Sequence, residues 1–385
     1  MSTVVQKYGG SSVADVDKIR AVARRVVATR DAGHRVVCVV SAMGNTTNEL
    51  LALARSVTPS PGRRELDMLI SVGERVAMTL LSMAIANLGA PARSFTGSQS
   101  GIITDEAHNS ARIVAVRPHR LRAALEAEEI VIVAGFQGVS RDKEVTTLGR
   151  GGTDLTAVAL AAALDAEWCE ICSDVDGVYS ADPRTVPTAE RLEKLSLDEA
   201  LALARSGARV LQADAVALAH RLGIEIQAAS TDDPPGSGTR IVVGELPPRF
   251  AAVTTDRQLV RFSGGQREVL VASLVAAGAE IRRADARGVL VDRRNWHDRA
   301  AFVLPEGGLC EPVVELSAVS TGASVEGPAL VKTLAALAEA GIDVLDWVAA
   351  PDALRFTVSA ETATEAEKLV HLLLMERLAE GDFGT

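Results

Sequence analysis

Short apolar runs alternate with helix-like stretches over the first 245 or so residues. The apolar or β-rich runs fall at 3–6, 36–40, 130–134, 171–175 and 224–229, and helix-like stretches such as 65–87 and 156–163 lie between them. Repeated strand–loop–helix units of this kind predict a mainly parallel sheet covered by helices on both faces. The pattern therefore indicates a three-layer α/β domain.

Proline and glycine then interrupt the chain at 234–238 and 247–248, as at the edge of a domain. Beyond them the runs at 313–319, 327–340, 342–348, 354–358 and 362–378 predict the order β-α-β-β-α, as in small ferredoxin-like modules. Residues 251–310 form a weaker unit of the same kind. The sequence thus predicts a domain over 1–245, a degenerate βαββαβ module over 251–310, and a second module over 311–385.

Composition agrees with this division, because 385 residues exceed what one ordinary core accommodates. Aromatic residues make up only 3% of the chain, which leaves the cores to aliphatic side chains. The net charge of −10 gives no case for nucleic-acid or anionic-membrane partners. With no signal-like start and no apolar run of about 18 residues, we predict a cytoplasmic enzyme without a membrane partner.

Four cysteines occur, and Cys169 and Cys172 form a C-x-x-C pair that is compatible with zinc or redox chemistry. No second Cys/His pair has matching spacing, and the pair lies in an apolar strand-like segment. We therefore interpret all four cysteines as reduced packing residues and predict no protein-held metal site.

Three loops that follow predicted strands carry candidate chemistry. The first places Lys7 before Gly9 and Gly10, the second is SAMGNTTN from Ser41, and the third is the glycine-rich run 149–154 around Arg150. Loops at the carboxyl ends of parallel strands bind ligands, and their backbone N–H groups favour phosphate. Taken singly, each loop also has an ordinary interpretation as a solvated lysine, a helix cap or a helix-terminal acid. The common nucleotide signatures G-x-x-x-x-G-K-[ST] and G-x-G-x-x-G are absent from the sequence.

Eight segments occur in order that together resemble the aspartate kinase branch of the amino acid kinase family. They are KYGGSSV, VVSAMGNTT, SVGERV, SFTGSQSGIITD, AGFQG, TTLGRGGTD, SDVDGVYSADPR and GARVL. The resemblance implies transfer of a phosphoryl group from ATP, with Mg²⁺, to the side-chain carboxylate of L-aspartate. It also implies a homodimer or higher homo-oligomer and two C-terminal ACT modules that bind feedback amino acids.

The same resemblance implies a role for each matching residue. Lys7 and Asp154 would be catalytic, Lys7 by stabilising the transferred charge and Asp154 by orienting Lys7 and organising the Mg²⁺-ATP site. Residues that would bind the substrate are Thr47, Glu74, Arg150 and Thr153. Residues that would bind the nucleotide, together with Lys7, are Gly9, Gly10, Ser11, Ser173, Asp174, Tyr179, Asp182, Arg184 and Arg209.

The sequence departs from the family pattern at three places. Thr153 and Leu155 replace a usual serine and threonine, and Gln212 stands where histidine is usual. The module at 251–310 lacks the usual proline–glycine turn, so we expect weak or absent inhibition by lysine and threonine. Two alternatives stay open: a paralogue that uses another amino acid, and a non-catalytic nucleotide-binding subunit.

Overall fold

The computed structural model describes residues 1–294, 296, 302–304, 307–321 and 327–375. These residues form two compact units. Unit 1 contains Met1–Val178, Leu192–Ala200 and Val210–Glu245, and unit 2 contains Tyr179–Arg191, Leu201–Arg209 and the chain from Leu246 onward. Two segments inside the predicted span 1–245 thus belong to unit 2. The last ten residues of the predicted second module, 376–385, and part of the 288–299 stretch lie outside the described residues.

Unit 1 is built on an eight-stranded sheet. The strands are β1 Thr3–Tyr8, β2 Arg35–Val40, β3 Ala92–Phe95, β6 Ile130–Ala134, β9 Trp168–Ser173, β10 Lys194–Ser196, β11 Ile226–Ser230 and β12 Thr239–Val242. Their order in the sheet is β10-β12-β11-β9-β1-β2-β6-β3. Neighbouring strands are parallel except for the pair β11–β12. The predicted, mainly parallel sheet is confirmed.

Helices cover both faces of this sheet, as predicted. The helices in this part of the chain are α1 Val16–Asp31, α2 Thr46–Val57, α3 Arg63–Ile70, α4 Val72–Asn87, α5 His119–Glu126, α6 Gly152–Ala163, α7 Leu197–Arg205 and α8 Ala213–Leu222, with a 3-10 turn at Gly10–Val13. Helix α7 begins in unit 1 and ends in unit 2. Alternate residues of β1 and β2 pack with α1 and α4 in one core, and α6 contacts the same strands from the other face. A second sheet contains β4 Ile102–Thr104, β5 Ile113–Val116, β7 Gln137–Val139 and β8 Val145–Thr147, in the order β5-β4-β7-β8.

The predicted single helix over 65–87 is instead two helices, because the chain breaks at Ser71 between α3 and α4. The stretch Arg63–Asn87 is long and apolar enough to match a membrane span by length and composition alone. Its residues Ala77, Leu81 and Ile85 are fully buried in the core of unit 1, packed with strand residues. That burial is typical of a core helix in a globular domain.

Unit 2 is built on a six-stranded antiparallel sheet. Its elements are β13 Arg249–Ser263, α9 Arg267–Ala276, β14 Glu280–Asp285, β15 Gly288–Asp292, β16 Leu309–Thr321, α10 Gly327–Glu339, β17 Val344–Ala350, β18 Ala353–Ser359 and α11 Ala363–Met375. The strand order is β14-β15-β13-β16-β18-β17. Helices α10 and α11 pack on the same sheet face as α9. The ferredoxin-like character of this region is confirmed.

The two ferredoxin-like modules share their central strands. Both halves of β13 pair with β16, and residues 259–262 also pair with β15 along the other edge of the strand; a bulge between Asp256 and Leu259 separates the two halves. A four-stranded ferredoxin-like order is therefore completed on each side, β16-β13-β15-β14 and β13-β16-β18-β17. The second module takes its fourth strand from the first half of β13, most of which falls inside the span 251–310 predicted for the first module.

Candidate active site

Lys7 lies at the carboxyl end of β1, on the sheet face that α6 covers. Residues alternate along the strand, so Gln6 and Tyr8 point to the α1 side and Lys7 points to the α6 side. The Lys7 Nζ atom lies 2.7 Å from Oδ1 of Asp154, in the first turn of α6, and both side chains are largely buried. The structure therefore brings together the two residues predicted to be catalytic.

Glycines let the first two loops approach each other closely. A Cβ atom on Gly10 would lie 2.9 Å from the Ala42 carbonyl oxygen, and the Gly44 N–H donates to the Gly10 carbonyl at 3.0 Å. Gly9 has only the Lys7 ammonium near its missing Cβ, at 3.5 Å. Backbone this free of side chains leaves room for a phosphate beside the lysine. Ser11, in the 3-10 turn that follows, is exposed.

Glu74 is buried in the first turn of α4, with 3% of the residue exposed. Its Oε1 accepts the Ala42 N–H at 3.1 Å, and its buried Oε2 has no hydrogen-bond partner among the described residues. Burial raises the pKa of this carboxyl to about 7, and the backbone N–H donors oppose that rise. An ionised carboxylate with one unsatisfied oxygen is suited to an incoming ammonium group.

Thr153 lies beside the second loop. Its hydroxyl accepts a 3.0 Å hydrogen bond from Ser41, and its methyl group occupies the space that a side chain at Gly135 would fill. Thr47 is half-buried in the first turn of α2. These predicted substrate residues therefore lie in the first turns of α2 and α6, the helices that follow β2 and β8.

Arg150 is exposed between Gly149 and Gly151, which both have positive φ angles. Glycine is needed at both positions because other residues rarely adopt this conformation. A Cβ atom on Gly151 would lie 3.0 Å from Cγ of Gln212. Gln212, which the sequence places near a domain edge, therefore packs against the arginine loop.

The predicted nucleotide residues are divided between the two units. Unit 1 contains Lys7, Gly9, Gly10 and Ser11 together with Ser173, the last residue of β9, and Asp174, which follows it. Unit 2 contains Tyr179, Asp182, Arg184 and Arg209. Within unit 2, Arg184 binds Asp182 at 2.7 Å and its hydrogen bond lowers the pKa of that carboxyl. That these ten residues bind one nucleotide stays a prediction.

Residues that the sequence did not single out complete the edge of unit 1. Thr231, after β11, shares a 2.6 Å hydroxyl contact with Ser12 and donates to the Ser173 carbonyl at 3.0 Å. Asp67, on α3, is fully buried and accepts hydrogen bonds from the β4–β5 loop and β8. Both residues bind partners far away along the chain, at separations of 80 residues for Asp67–Thr147 and 219 for Ser12–Thr231, so no local sequence signal identifies them.

The C-x-x-C pair has no metal or redox partner among the described residues. Cys38, Cys169 and Cys172 are buried, and burial raises the pKa of each thiol, so they stay protonated packing residues. The packing interpretation is wrong for Cys310, which is exposed near the start of β16. No group of three His, Cys, Asp or Glu side chains able to hold a metal converges in the described part of the chain.

Unit 1 is a three-layer α/β domain with glycine-rich loops at the carboxyl edge of its mainly parallel sheet. The amino acid kinase family model matches residues 2–230, and the chain belongs to that family. The aspartokinase of Mycolicibacterium smegmatis is 55% identical over 256 residues, which cover 66% of this chain and 61% of the relative. An aspartokinase of Thermus thermophilus is 47% identical over 257 residues, which cover 66% of this chain and 64% of the relative. The chain thus spans about three fifths of the length of the curated relatives that it matches.

Solved structures share the fold over nearly the whole chain. Escherichia coli aspartokinase III, solved with aspartate and ADP in its R-state, has a TM-score of 0.79 at 23% identity and covers 97% of this chain and 100% of its own. Clostridium acetobutylicum aspartate kinase has a TM-score of 0.75 at 19% identity, covering 96% of this chain and 100% of its own. At these identities the likeness concerns the fold.

Proposed function

We propose that the protein is an aspartate kinase that transfers the γ-phosphoryl group of Mg²⁺-ATP to the side-chain carboxylate of L-aspartate, giving 4-phospho-L-aspartate and ADP. The observation that carries this proposal is the buried Lys7–Asp154 pair at the carboxyl edge of the sheet, 2.7 Å apart beside the open backbone of Gly9. The aspartokinase relatives, at 55% and 47% identity, support the choice of acceptor.

The acceptor chemistry suits this pair. A carboxylate is already ionised near neutral pH, so the reaction needs no general base. Catalysis then depends on aligning donor and acceptor and on neutralising charge on the transferred group. In this proposal the Lys7 ammonium stabilises that charge and Asp154 holds Lys7 in place. ATP phosphates and water would supply most Mg²⁺ ligands, as is common for this ion.

The amino-acid substrate would be held by complementary charges. Glu74 offers a buried carboxylate oxygen to the α-ammonium group, and Arg150, exposed on its glycine loop, offers a planar fork to a carboxylate. Thr47 and Thr153 would supply hydroxyl contacts. Gly9, Gly10 and Ser11 would bind the ATP phosphates. The residues that would bind adenine and ribose are Ser173, Asp174, Tyr179, Asp182, Arg184 and Arg209.

A second acceptor is worth testing because of Thr153. Its methyl group occupies the groove at Gly135, where the serine that is usual in the family would leave space. One methyl group in a substrate pocket changes specificity by about 1–3 kcal/mol. A different amino acid of similar length is therefore the alternative acceptor.

A hydroxamate assay with a panel of amino acids tests the proposal, with Lys7→Ala and Asp154→Ala as inactive controls. We expect aspartate to give the highest kcat/KM and both variants to be inactive. Activity with another amino acid alone would favour the alternative acceptor. ATP binding without activity toward any acceptor would instead indicate a nucleotide-binding regulatory subunit.

We also propose a cytoplasmic homo-oligomer of amino-acid biosynthesis with weak or absent inhibition by lysine and threonine. The turn before α9 is Gly264-Gly265, both at positive φ, in place of the usual proline–glycine turn. The corresponding turn before α10 falls at 322–326, outside the described residues. Titration of activity with lysine and threonine tests the inhibition, and light scattering tests the oligomer. Strong inhibition at millimolar effector would contradict the first part.

A further inference from the structure

The carboxylate of Asp67 is the centre of a buried hydrogen-bond cluster beneath the arginine loop. It accepts from the Thr147 hydroxyl at 2.5 Å, from the Asn109 backbone N–H at 3.1 Å and from Nδ1 of His108 at 2.6 Å. When the side-chain amide of Asn109 is oriented with its nitrogen toward Asp67, that nitrogen donates a further hydrogen bond to Oδ1 of Asp67 at 2.7 Å. A buried carboxylate with this many donors is fixed in position.

The partners of Asp67 lead directly to Arg150. Thr147 is the last residue of β8, and its carbonyl accepts the Ala111 N–H at 2.9 Å. The Asn109 carbonyl oxygen lies only 3.3 Å from where a Cβ atom of Gly149 would be. The loop that carries Arg150 therefore begins at the end of β8 and packs against the segment that contains Asn109. The strand end and this segment both bind Asp67.

Asp67 itself lies on the route to Glu74. It belongs to α3, and only Ser71 separates α3 from α4, where Glu74 occupies the first turn. The Ser71 carbonyl accepts a 2.9 Å hydrogen bond from the side-chain amide of Gln137, on β7. The Gln137 side chain therefore links the start of α4 to β7. The Asp67 side chain links the preceding helix, α3, to β8.

We propose that Asp67 is a positioning residue for the acceptor amino acid, because it fixes the separation between Glu74 and Arg150 through Thr147 and the 105–111 segment. This inference rests on the proposed function, in which those two residues bind the ammonium and a carboxylate of the same molecule. A zwitterion is held only if both charges meet partners at once, and displacements near 1 Å cost about 100-fold in rate. None of the hydrogen bonds described for the cluster reaches Lys7 or Gly9, so we expect ATP binding to be independent of it.

Thr147→Val, which removes one hydroxyl without changing the shape of the side chain, tests the inference. Thr147→Ser restores the hydroxyl, and Thr29→Val removes a comparably buried hydroxyl on α1, which binds Gln6 at 3.0 Å. We expect Thr147→Val to raise KM for the acceptor about tenfold and to leave KM for ATP within about twofold. Thr147→Ser and Thr29→Val should both keep the acceptor KM near that of the wild type.

Asn109→Gly keeps the test open if the valine variant does not fold. Asn109 has a φ of +70°, where glycine is favourable, and the change removes only the side-chain amide from the cluster. A folded variant with an unchanged acceptor KM, or with equal rises in both KM values, would overturn the inference. A wild-type protein that neither phosphorylates nor binds aspartate by calorimetry would overturn the proposed function instead.

Discussion

The carboxyl edge of the sheet in unit 1 and one face of the sheet in unit 2 use charged side chains in opposite ways. At the edge in unit 1, Lys7 meets one carboxylate, and Glu74 keeps one buried oxygen without a partner among the described residues. In unit 2, the sheet face opposite α9, α10 and α11, here called the arginine face, carries arginines that each meet one or more carboxylates. Arg283 alone contacts Asp285, Glu315 and Asp346 within 3.3 Å.

The pairing on the arginine face is close to complete. Asp292 is almost fully buried, at 1% exposure, and receives Arg282 at 2.6 Å and Arg294 at 2.5 Å. Burial alone would raise the pKa of Asp292, but the hydrogen bonds from Arg294 and Arg282 outweigh it and the pKa is lowered. Charges satisfied in this way stabilise a fold and offer little to a ligand. Incompletely satisfied charges, as at Glu74, point to ligand binding.

The largest expected effect is the loss of activity in Lys7→Met. Removing one preorganised donor that stabilises transition-state charge typically costs about 10²–10³-fold in kcat. We expect the upper end for Lys7, because in the proposed function its ammonium group, paired with Asp154, stabilises the transferred charge. ADP release in a coupled assay gives kcat, and circular dichroism confirms the fold. Lys7→Arg, which keeps the charge, should recover part of the rate. A kcat of Lys7→Met within tenfold of the wild-type value would contradict a catalytic role for Lys7.

The second effect is on stability. Asp292→Asn should lower the free energy of unfolding of unit 2 by about 2–4 kcal/mol, because Arg282 and Arg294 lose their shared carboxylate in a buried place. Urea unfolding followed by tryptophan fluorescence measures this loss, since Trp296 packs against Phe262 in the same unit. We expect kcat to change less than twofold. A large fall in kcat with unchanged stability would reverse the comparison between the two regions.

The residues at the edge of unit 1 differ in how far the sequence indicates them. Lys7, Glu74 and Asp154 are candidates from sequence because each belongs to a short motif at a strand end or a helix start, and their roles stay predictions. Asp67 and Thr147 are 80 residues apart, and Ser12 and Thr231 are 219 apart, so their contacts exist only after the sheets have formed. No local pattern indicates such pairs.

The fold shows the same limit. The strand and helix order of unit 1 follows from its apolar runs, because central strands such as β2 and β6 are buried on both faces and read as continuous apolar segments. Apolar periodicity does not predict that both modules share β13 and β16. This sharing depends on which strands pair along each edge of β13 and β16. The break at Ser71 is not predicted either, because apolar residues continue across it at helical spacing.

The third prediction concerns pH and Glu74. Its folded-state pKa of about 7 lies above the ordinary value, so the ligand-free protein binds an extra proton there between about pH 4.5 and 7. Glu74 must be ionised to bind an ammonium group, so KM for the amino acid should rise up to about tenfold per pH unit below 7. This group also favours folding at low pH, and that contribution is lost as pH rises through 7.

Kinetics between pH 6 and 8 measure the effect, with Glu74→Gln as the control. The variant cannot titrate, so its acceptor KM should be high at every pH and nearly independent of pH over that range. A wild-type acceptor KM that stays flat from pH 6 to 8 would contradict the assignment of Glu74 as the ammonium partner. KM for ATP is the internal reference, since ATP does not contact Glu74 in this proposal.

The smallest expected effect separates two arginines on the arginine face. Arg287 is 55% exposed in its side chain and lies 3.5 Å from Asp346, whereas Arg283 is 23% exposed and meets three carboxylates, including Asp346 at 2.7 Å. Solvent screens the first pair, so Arg287→Ala should cost less than about 1 kcal/mol of unfolding free energy. Arg283→Ala leaves Glu315 and Asp346 without their shared cation and should cost more. Equal losses in urea unfolding would mean that the number of partners does not decide stability on this face, and the contrast with unit 1 would then rest on Glu74 alone.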